Sequence, residues 1–317
     1  MDMSKRMGSK IKSILTADQF SKTELDNLLN MSEKIEAELE TRKSIPLLKD
    51  HILAALFFEP STRTRLSFES AMHRLGGKVI TAVGMQFSSL AKGETLYDTL
   101  KVMESYADVV AIRHPVVGAS SIAAQSISVP VINAGDGAGE HPTQGILDLY
   151  TIHKRKNLSA SKNINIGFIG DIKYGRTIHS LVKLLWHYNV NFTFISPPEL
   201  ALPTEYEALL QEKNASYSIT DNIEEIYNCD VAYITRIQEE RFPDRSEYEK
   251  FRDSFVINKE LILKCKEDII LMHPLPRLNE ISTDVDGMPQ AIYFEQAQNG
   301  LYTRMALLSD ILGCPMV

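Results

Sequence analysis

Five consecutive residues, Ser61-Thr62-Arg63-Thr64-Arg65, carry a hydroxyl or guanidinium group, and they stand between an apolar run, Ile52 to Phe58, and a helical repeat, Phe68, Met72 and Leu75. That order reads as a buried parallel strand, a sharp turn and the first turn of a helix ended by Gly76-Gly77. Everything in the first turn donates hydrogen bonds. Backbone N–H groups are unpaired there, and the helix dipole penalises each cation by roughly 0.3–1 kcal/mol. No Glu or Gln lies three residues after Ser61 or Thr62 to close a capping box. A plain Ser/Thr cap with solvated arginines is one reading. The stronger one is an anion from outside the chain, a phosphate, sulfate or carboxylate, held by these donors.

Further donors recur at strand ends and helix starts: Arg113, then His141 with Gln144 on one helix face, Arg176 with Thr177, and Arg236 with Gln238. The planar fork of arginine matches carboxylate and phosphate oxygens two at a time. Such an inventory binds anions and stabilises negative charge. Each member has a plainer reading: a single loop arginine is commonly solvated, and His141 before Pro142 could cap a helix. Ser88, Ser89 and Lys92 read as an exposed loop, and Leu275-Pro276 after His273-Pro274 as a rigid turn. There is no paired-carboxylate, H-E-x-x-H or G-x-S-x-G signature, so neither metal nor serine-hydrolase chemistry is indicated. Gly167, Gly170 and Gly175 do not give G-x-G-x-x-G, which leaves a nicotinamide-dependent dehydrogenase as a remote alternative.

Composition sets the background. The 317 residues suggest two domains, and a formal charge of −7 makes the donor-rich stretch a local anion pocket in an acidic protein, with no nucleic-acid surface expected. Cys229, Cys265 and Cys314 are odd in number and lack C-x-x-C spacing, which fits a reducing cytoplasm without disulfides or zinc. No stretch approaches the roughly 20 apolar residues of a membrane span.

The elements that must position these residues alternate. Strands are read at Val79–Val83, Asp108–Ile112 and Val129–Asn133, with helices around Leu96 to Met103, at Ala119–Ser128 and from Pro142 onward; a surface helix occupies residues 17–40. Lys154 to Lys162 is polar and basic without periodicity, a candidate boundary. Beyond it come strands at Ile164–Ile169, Phe192–Ile195, Val231–Thr235 and Ile269–Met272, a helix from Ile178 to Trp186, and a last helix after Asn299-Gly300. The fold class expected is α/β, with two doubly wound domains, each a central parallel sheet flanked by helices. Their expected extents are 1–150, completed by a C-terminal helix over 298–317, and 151–297.

Taken in order, Ser61-Thr62-Arg63-Thr64-Arg65, Arg113-His114-Pro115, His141-Pro142-Thr143-Gln144, Asp171 to Thr177, Thr235-Arg236-Ile237-Gln238 and His273-Pro274-Leu275-Pro276-Arg277 resemble the motifs of the aspartate/ornithine carbamoyltransferase family, from about residue 12 to the C-terminus. Ornithine enzymes typically carry His-Cys-Leu-Pro and Ser-Met-Gly segments, whereas the last two motifs here look like the aspartate type. Two arginines suit a dicarboxylate better than a cationic amino acid.

The resemblance implies transfer of the carbamoyl group of carbamoyl phosphate to L-aspartate, a step of pyrimidine biosynthesis, with an ornithine or related carbamoyltransferase as the alternative. It implies that Ser61, Thr62, Arg63, Thr64 and Arg113 hold the phosphate, and that Thr64, Arg113 and His141 act on the carbonyl. It further implies that Gln144 and the backbone at Leu275 and Pro276 hold the carbamoyl amide, and that Arg176, Thr177, Arg236 and Gln238 bind aspartate. Ser88 and Lys92 would come from a neighbouring subunit of a homotrimer, with Lys92 also reaching aspartate, which reverses the plain loop reading. No cofactor or metal is implied for this chain, although a separate zinc-containing regulatory chain is a possible partner.

Overall fold

The computed structural model describes residues 13–84, 92–161, 163–239, 242, 244–252 and 254–316. The chain forms two compact units, one running to Thr143 and resumed from Gly300, the other Gln144–Asn299.

In the first unit α1 (Lys22–Thr41) starts at Ser21, whose side chain and that of Glu24 form a capping box. Then follow β1 (Ile52–Phe57), α2 (Thr62–Arg74), β2 (Lys78–Val83), α3 (Leu96–Glu104), β3 (Val109–His114), α4 (Ala119–Ser126) and β4 (Val131–Asp136). The four strands are parallel in the order β2-β1-β3-β4. β1, β4 and most of β3 are buried, whereas the edge strand β2 is half exposed. Leu56, Val110, Ile112 and Val131 pack with Leu100 of α3 and Ala123 of α4, each fully buried aliphatic side chain contributing about 1.5–3 kcal/mol.

α5 (Pro142–Lys156) begins at the proline, as its fixed φ favours, and crosses into the second unit. There follow β5 (Ile164–Ile169), α6 (Arg176–Leu185), β6 (Val190–Ile195), α7 (Thr204–Glu212), β7 (Ser216–Thr220), β8 (Val231–Ile234), α8 (Arg245–Phe251), α9 (Lys259–Ile262), β9 (Ile270–Met272) and α10 (Tyr293–Ile311). All five strands are parallel, ordered β7-β6-β5-β8-β9. Both sheets are doubly wound.

Three elements differ from the sequence reading. The basic run from Lys154 opens as the last turn of α5, where cations meet the helix C-terminus and Lys154 pairs with Glu295 at 3.3 Å. β7 escaped because an edge strand with half-exposed Ser and Thr has no apolar signal. The final helix starts at Tyr293, before Asn299-Gly300: Asn299 is buried and its side chain donates to Thr151, so the pair continues the helix. Among the described residues no helix is long and apolar enough to cross a membrane.

Candidate active site

In each sheet the strand order reverses once, between β1 and β3 in the first and between β5 and β8 in the second. The carboxyl ends of strands beside such a switch form the natural ligand crevice of an open α/β sheet. The donors singled out above sit at these ends.

At the first switch point Ser61 is the N-cap of α2, in extended conformation, and its side chain makes no capping hydrogen bond. No acid lies in the first turn of this 13-residue helix, where the dipole favours negative charge. Arg65 is turned away, paired with Glu69 at 3.1 Å, a carboxylate that also accepts from the Thr81 hydroxyl. The expected charge excess therefore rests on Arg63 and on Arg113, which pairs with Phe57 across β1 and β3. Burial lowers the Arg63 pKa. Burial also lowers that of Arg113, with repulsion from Arg63 adding to it, although Glu59 lies 3.4 Å from Nε. With Glu59 paired to Arg113, two partly desolvated guanidinium groups and one carboxylate leave a net positive charge at this strand end.

His141 and Thr64 join this cluster. The Thr64 hydroxyl lies 3.4 Å from His141 Nε2, and that of Thr143 lies 3.5 Å from Nδ1. The ring and the Arg113 guanidinium both pack on Gly135, whose φ is +117°; a Cβ there would come within 3.2 Å of Arg113 Nη1 and 3.6 Å of the imidazole. Thr62 opens α2 beside these groups. Lys92 is exposed in the segment before α3. Ser88 lies outside the described residues.

At the second switch point the loops after β5 and β8 are laced together. Asp171 Oδ1 accepts from the Tyr174 N–H at 2.9 Å and Oδ2 from the Gln238 N–H at 3.5 Å, while Gln238 Nε2 donates to the Tyr174 carbonyl at 3.1 Å. Gly170 makes the approach possible: at φ +112°, a Cβ would lie 2.2 Å from the Thr235 carbonyl oxygen. Arg176 at the start of α6 and Arg236 just after β8 are both half-buried. The Thr177 side chain is hydrogen-bonded to Tyr233.

Gln144 is half-buried on α5, its Nε2 donating to Asp148 at 2.9 Å. Leu275 has φ +57° and precedes a cis peptide bond to Pro276. The left-handed conformation costs a branched L-residue roughly 1–2 kcal/mol and marks a segment held by its surroundings.

The sequence reading gave no role to Glu59, Asp148 or Asp171. Asp148 had a signal, since it stands one helical turn after Gln144 on the same face. The other two are loop acids with no periodic cue.

Asp171 carries a testable pH effect. Burial raises its pKa to about 6, against the pull of the two N–H bonds and of Arg236. A carboxyl whose folded pKa exceeds its unfolded one binds more protons when folded, so its contribution to stability falls as pH rises from about 4 through 6. Relative to Asp171→Asn, the wild-type chain is expected to lose roughly 3 kcal/mol of unfolding free energy across that window. Denaturant titrations at both ends check it; a constant difference contradicts it.

Both units are doubly wound α/β domains with arginines at the strand ends beside the switch point, the place where ligands bind in such folds. A family model described as the carbamoyl-phosphate-binding domain of aspartate/ornithine carbamoyltransferases matches residues 12–154, and one described as the Asp/Orn-binding domain of the same enzymes matches residues 162–311. The chain belongs to the aspartate/ornithine carbamoyltransferase family.

Within that family it is similar to aspartate carbamoyltransferases. It is 55% identical over 302 residues to an aspartate carbamoyltransferase catalytic subunit of Leptospira biflexa, covering 95% of this chain and 97% of that one. The catalytic subunit of M. jannaschii aspartate transcarbamoylase superposes with a TM-score of 0.89 at 46% identity, covering 96% of this chain and 98% of that one. The Trypanosoma cruzi enzyme in complex with carbamoyl phosphate and aspartate also gives 0.89, at 39% identity, with 95% and 96% covered.

Proposed function

We propose that this chain transfers the carbamoyl group of carbamoyl phosphate to the α-amino group of L-aspartate, giving N-carbamoyl-L-aspartate and phosphate, the chemistry that feeds pyrimidine synthesis. The observation that carries this reading is the pair of switch-point clusters: an uncapped, acid-free helix start with Arg63 and Arg113, and two arginines, Arg176 and Arg236, at the other sheet. The first suits a phosphate dianion. The second suits a dicarboxylate and opposes the cationic side chain of ornithine.

Ser61, Thr62, Arg63 and Thr64 bind the phosphate, Arg113 bridges phosphate and carbonyl oxygen, and Thr64 and His141 help polarise the carbonyl. Gln144 and the backbone at Leu275 and Pro276 accept from the carbamoyl NH2. Arg176, Thr177, Arg236 and Gln238 bind aspartate. The uncharged amine attacks the carbonyl carbon; the new C–N bond forms as a tetrahedral adduct, the C–O bond to phosphate then breaks, and the departing phosphate takes the amine proton. Holding both reactants in attack geometry supplies roughly 7–11 kcal/mol of the barrier, and each donor on the developing oxyanion about 3–4 kcal/mol. Such sums need no covalent intermediate.

The active assembly is a homotrimer in which Ser88 and Lys92 complete the neighbour's site, and it works in the cytoplasm. The exposed position of Lys92 and the edge of β2, which no strand among the described residues pairs and where Val83 is 54% exposed, support the first; three free cysteines support the second. A separate zinc-containing regulatory chain is a further partner under the same reading, detectable by co-purification. Mixing Lys92→Ala with Arg63→Ala chains, each inactive alone, is expected to restore part of the turnover, because mixed trimers contain intact sites. No recovery after verified subunit exchange contradicts the shared site.

A further inference from the structure

The second unit contains a buried hydrogen-bond tree whose hub, Asp148 of α5, has no role in the transfer step above. Asp148 is fully buried. Its Oδ1 accepts from Gln144 Nε2 at 2.9 Å and from Gln296 Nε2 at 2.6 Å, and its Oδ2 accepts from the Tyr233 hydroxyl at 2.7 Å. A carboxylate only accepts, so each glutamine must turn its NH2 toward Asp148. Gln144 is thereby left with Oε1, an acceptor, on its other side. Gln296 Oε1 accepts the backbone N–H of His273 at 2.8 Å. His273 Nδ1 in turn accepts the N–H of Leu275 at 2.8 Å, which fixes the ring proton on Nε2, bonded to Glu280 at 2.7 Å. Burial lowers the His273 pKa and favours this neutral ring.

Two separate places therefore hang from one carboxylate: the Gln144 amide directly, and the Leu275 segment through Gln296 and His273. Both are assigned above to the carbamoyl amide. An NH2 group is a donor and needs acceptors. Were the Gln144 amide free to rotate, half of its orientations would set NH2 against NH2.

We propose that Asp148 is a positioning residue that makes the site selective for a carbamoyl group. It fixes Gln144 with Oε1 available and steadies the Leu275 segment, presenting acceptors to the one group that distinguishes carbamoyl phosphate from an acyl phosphate of the same size. The proposal rests on the carbamoyltransferase reading and names how that site selects its first substrate.

The test compares carbamoyl phosphate with acetyl phosphate, in which CH3 replaces NH2, on the full chain. Asp148→Asn keeps the size of the side chain but replaces an acceptor oxygen with a donor. Affinities for both phosphates and the carbamoyl phosphate KM and kcat with aspartate are measured for wild type and variant, with a melting curve for each. The expected result is a fall of at least about tenfold in the preference for carbamoyl over acetyl phosphate, carried by weaker carbamoyl phosphate binding, with acetyl phosphate affinity changed by less than about threefold. Equal weakening of both ligands, or an unchanged preference, overturns the proposal, because a purely structural role does not read the NH2. If Asp148→Asn does not fold, Gln296→Leu keeps the carboxylate while removing its link to His273, and the same loss of preference is required of it. A wild-type chain that forms no N-carbamoyl-L-aspartate overturns the underlying reading, and this proposal with it. A fully active wild type with preference retained in the variants overturns the proposal alone.

Discussion

Arg63→Ala is expected to lower turnover at least about 10²-fold while leaving the fold intact or slightly more stable. The two effects have one cause. Arg63 stands in the first turn of α2, where the dipole disfavours a cation, no acid compensates, and Arg113 is close enough to repel it. Removing it relieves both penalties, so the melting temperature stays level or rises. The same removal takes a bidentate donor from the phosphate site, and charge-assisted bonds of that kind are the strong ones. Inorganic phosphate should bind the variant more weakly as well. Turnover above a tenth of wild type counts against the assignment, as does a collapse in melting temperature, which would make Arg63 part of the scaffold.

Arg236→Ala is expected to act on the other substrate, raising the aspartate KM by about 10–10²-fold with carbamoyl phosphate affinity unchanged, the size of a lost hydrogen bond to a charged group. Arg236 stands two residues after β8, and the loop that carries it is tied to the loop after β5 through Gln238, Asp171 and Tyr174, which anchors its backbone at the switch point. Its charge also restrains the pKa of Asp171. The substitution should therefore push that pKa further up and extend to higher pH the window over which the Asp171 contribution to stability falls. An unchanged aspartate KM means the carboxylate contact has been misplaced.

These two arginines show what a single sequence exposes. The unusual start of α2 was legible because the helix breaks a local rule, donors and cations where acids belong, and the structure bears out the rule-breaking: the Ser61 side chain caps nothing. Arg65 was not legible in the same way, since its partner Glu69 lies one turn on and the pair resolves the apparent excess. The parallel strands were legible from their apolar runs, whereas β7, a half-exposed edge, was not. Strand order is the larger loss. Periodicity fixes which segments are strands but not which lie side by side, and the switch points that gather Arg113 with α2, and Arg236 with Arg176, follow from the order alone. Asp148 showed only its spacing to Gln144, while its bonds to Tyr233 and Gln296, like that of Asp171 to Gln238, join residues far apart in the chain and leave no spacing to read. Choosing aspartate over ornithine drew on the resemblance, which named the substrate, and on Arg176 and Arg236, whose charge favours a dicarboxylate over a cationic amino acid.

The most direct test is one incubation in two arms: purified protein with carbamoyl phosphate and either L-aspartate or L-ornithine, followed by measurement of ureido product and released phosphate. Equimolar N-carbamoyl-L-aspartate and phosphate in the aspartate arm, with no citrulline in the other, is the expected result. Citrulline formation, or no ureido product in either arm, would contradict it.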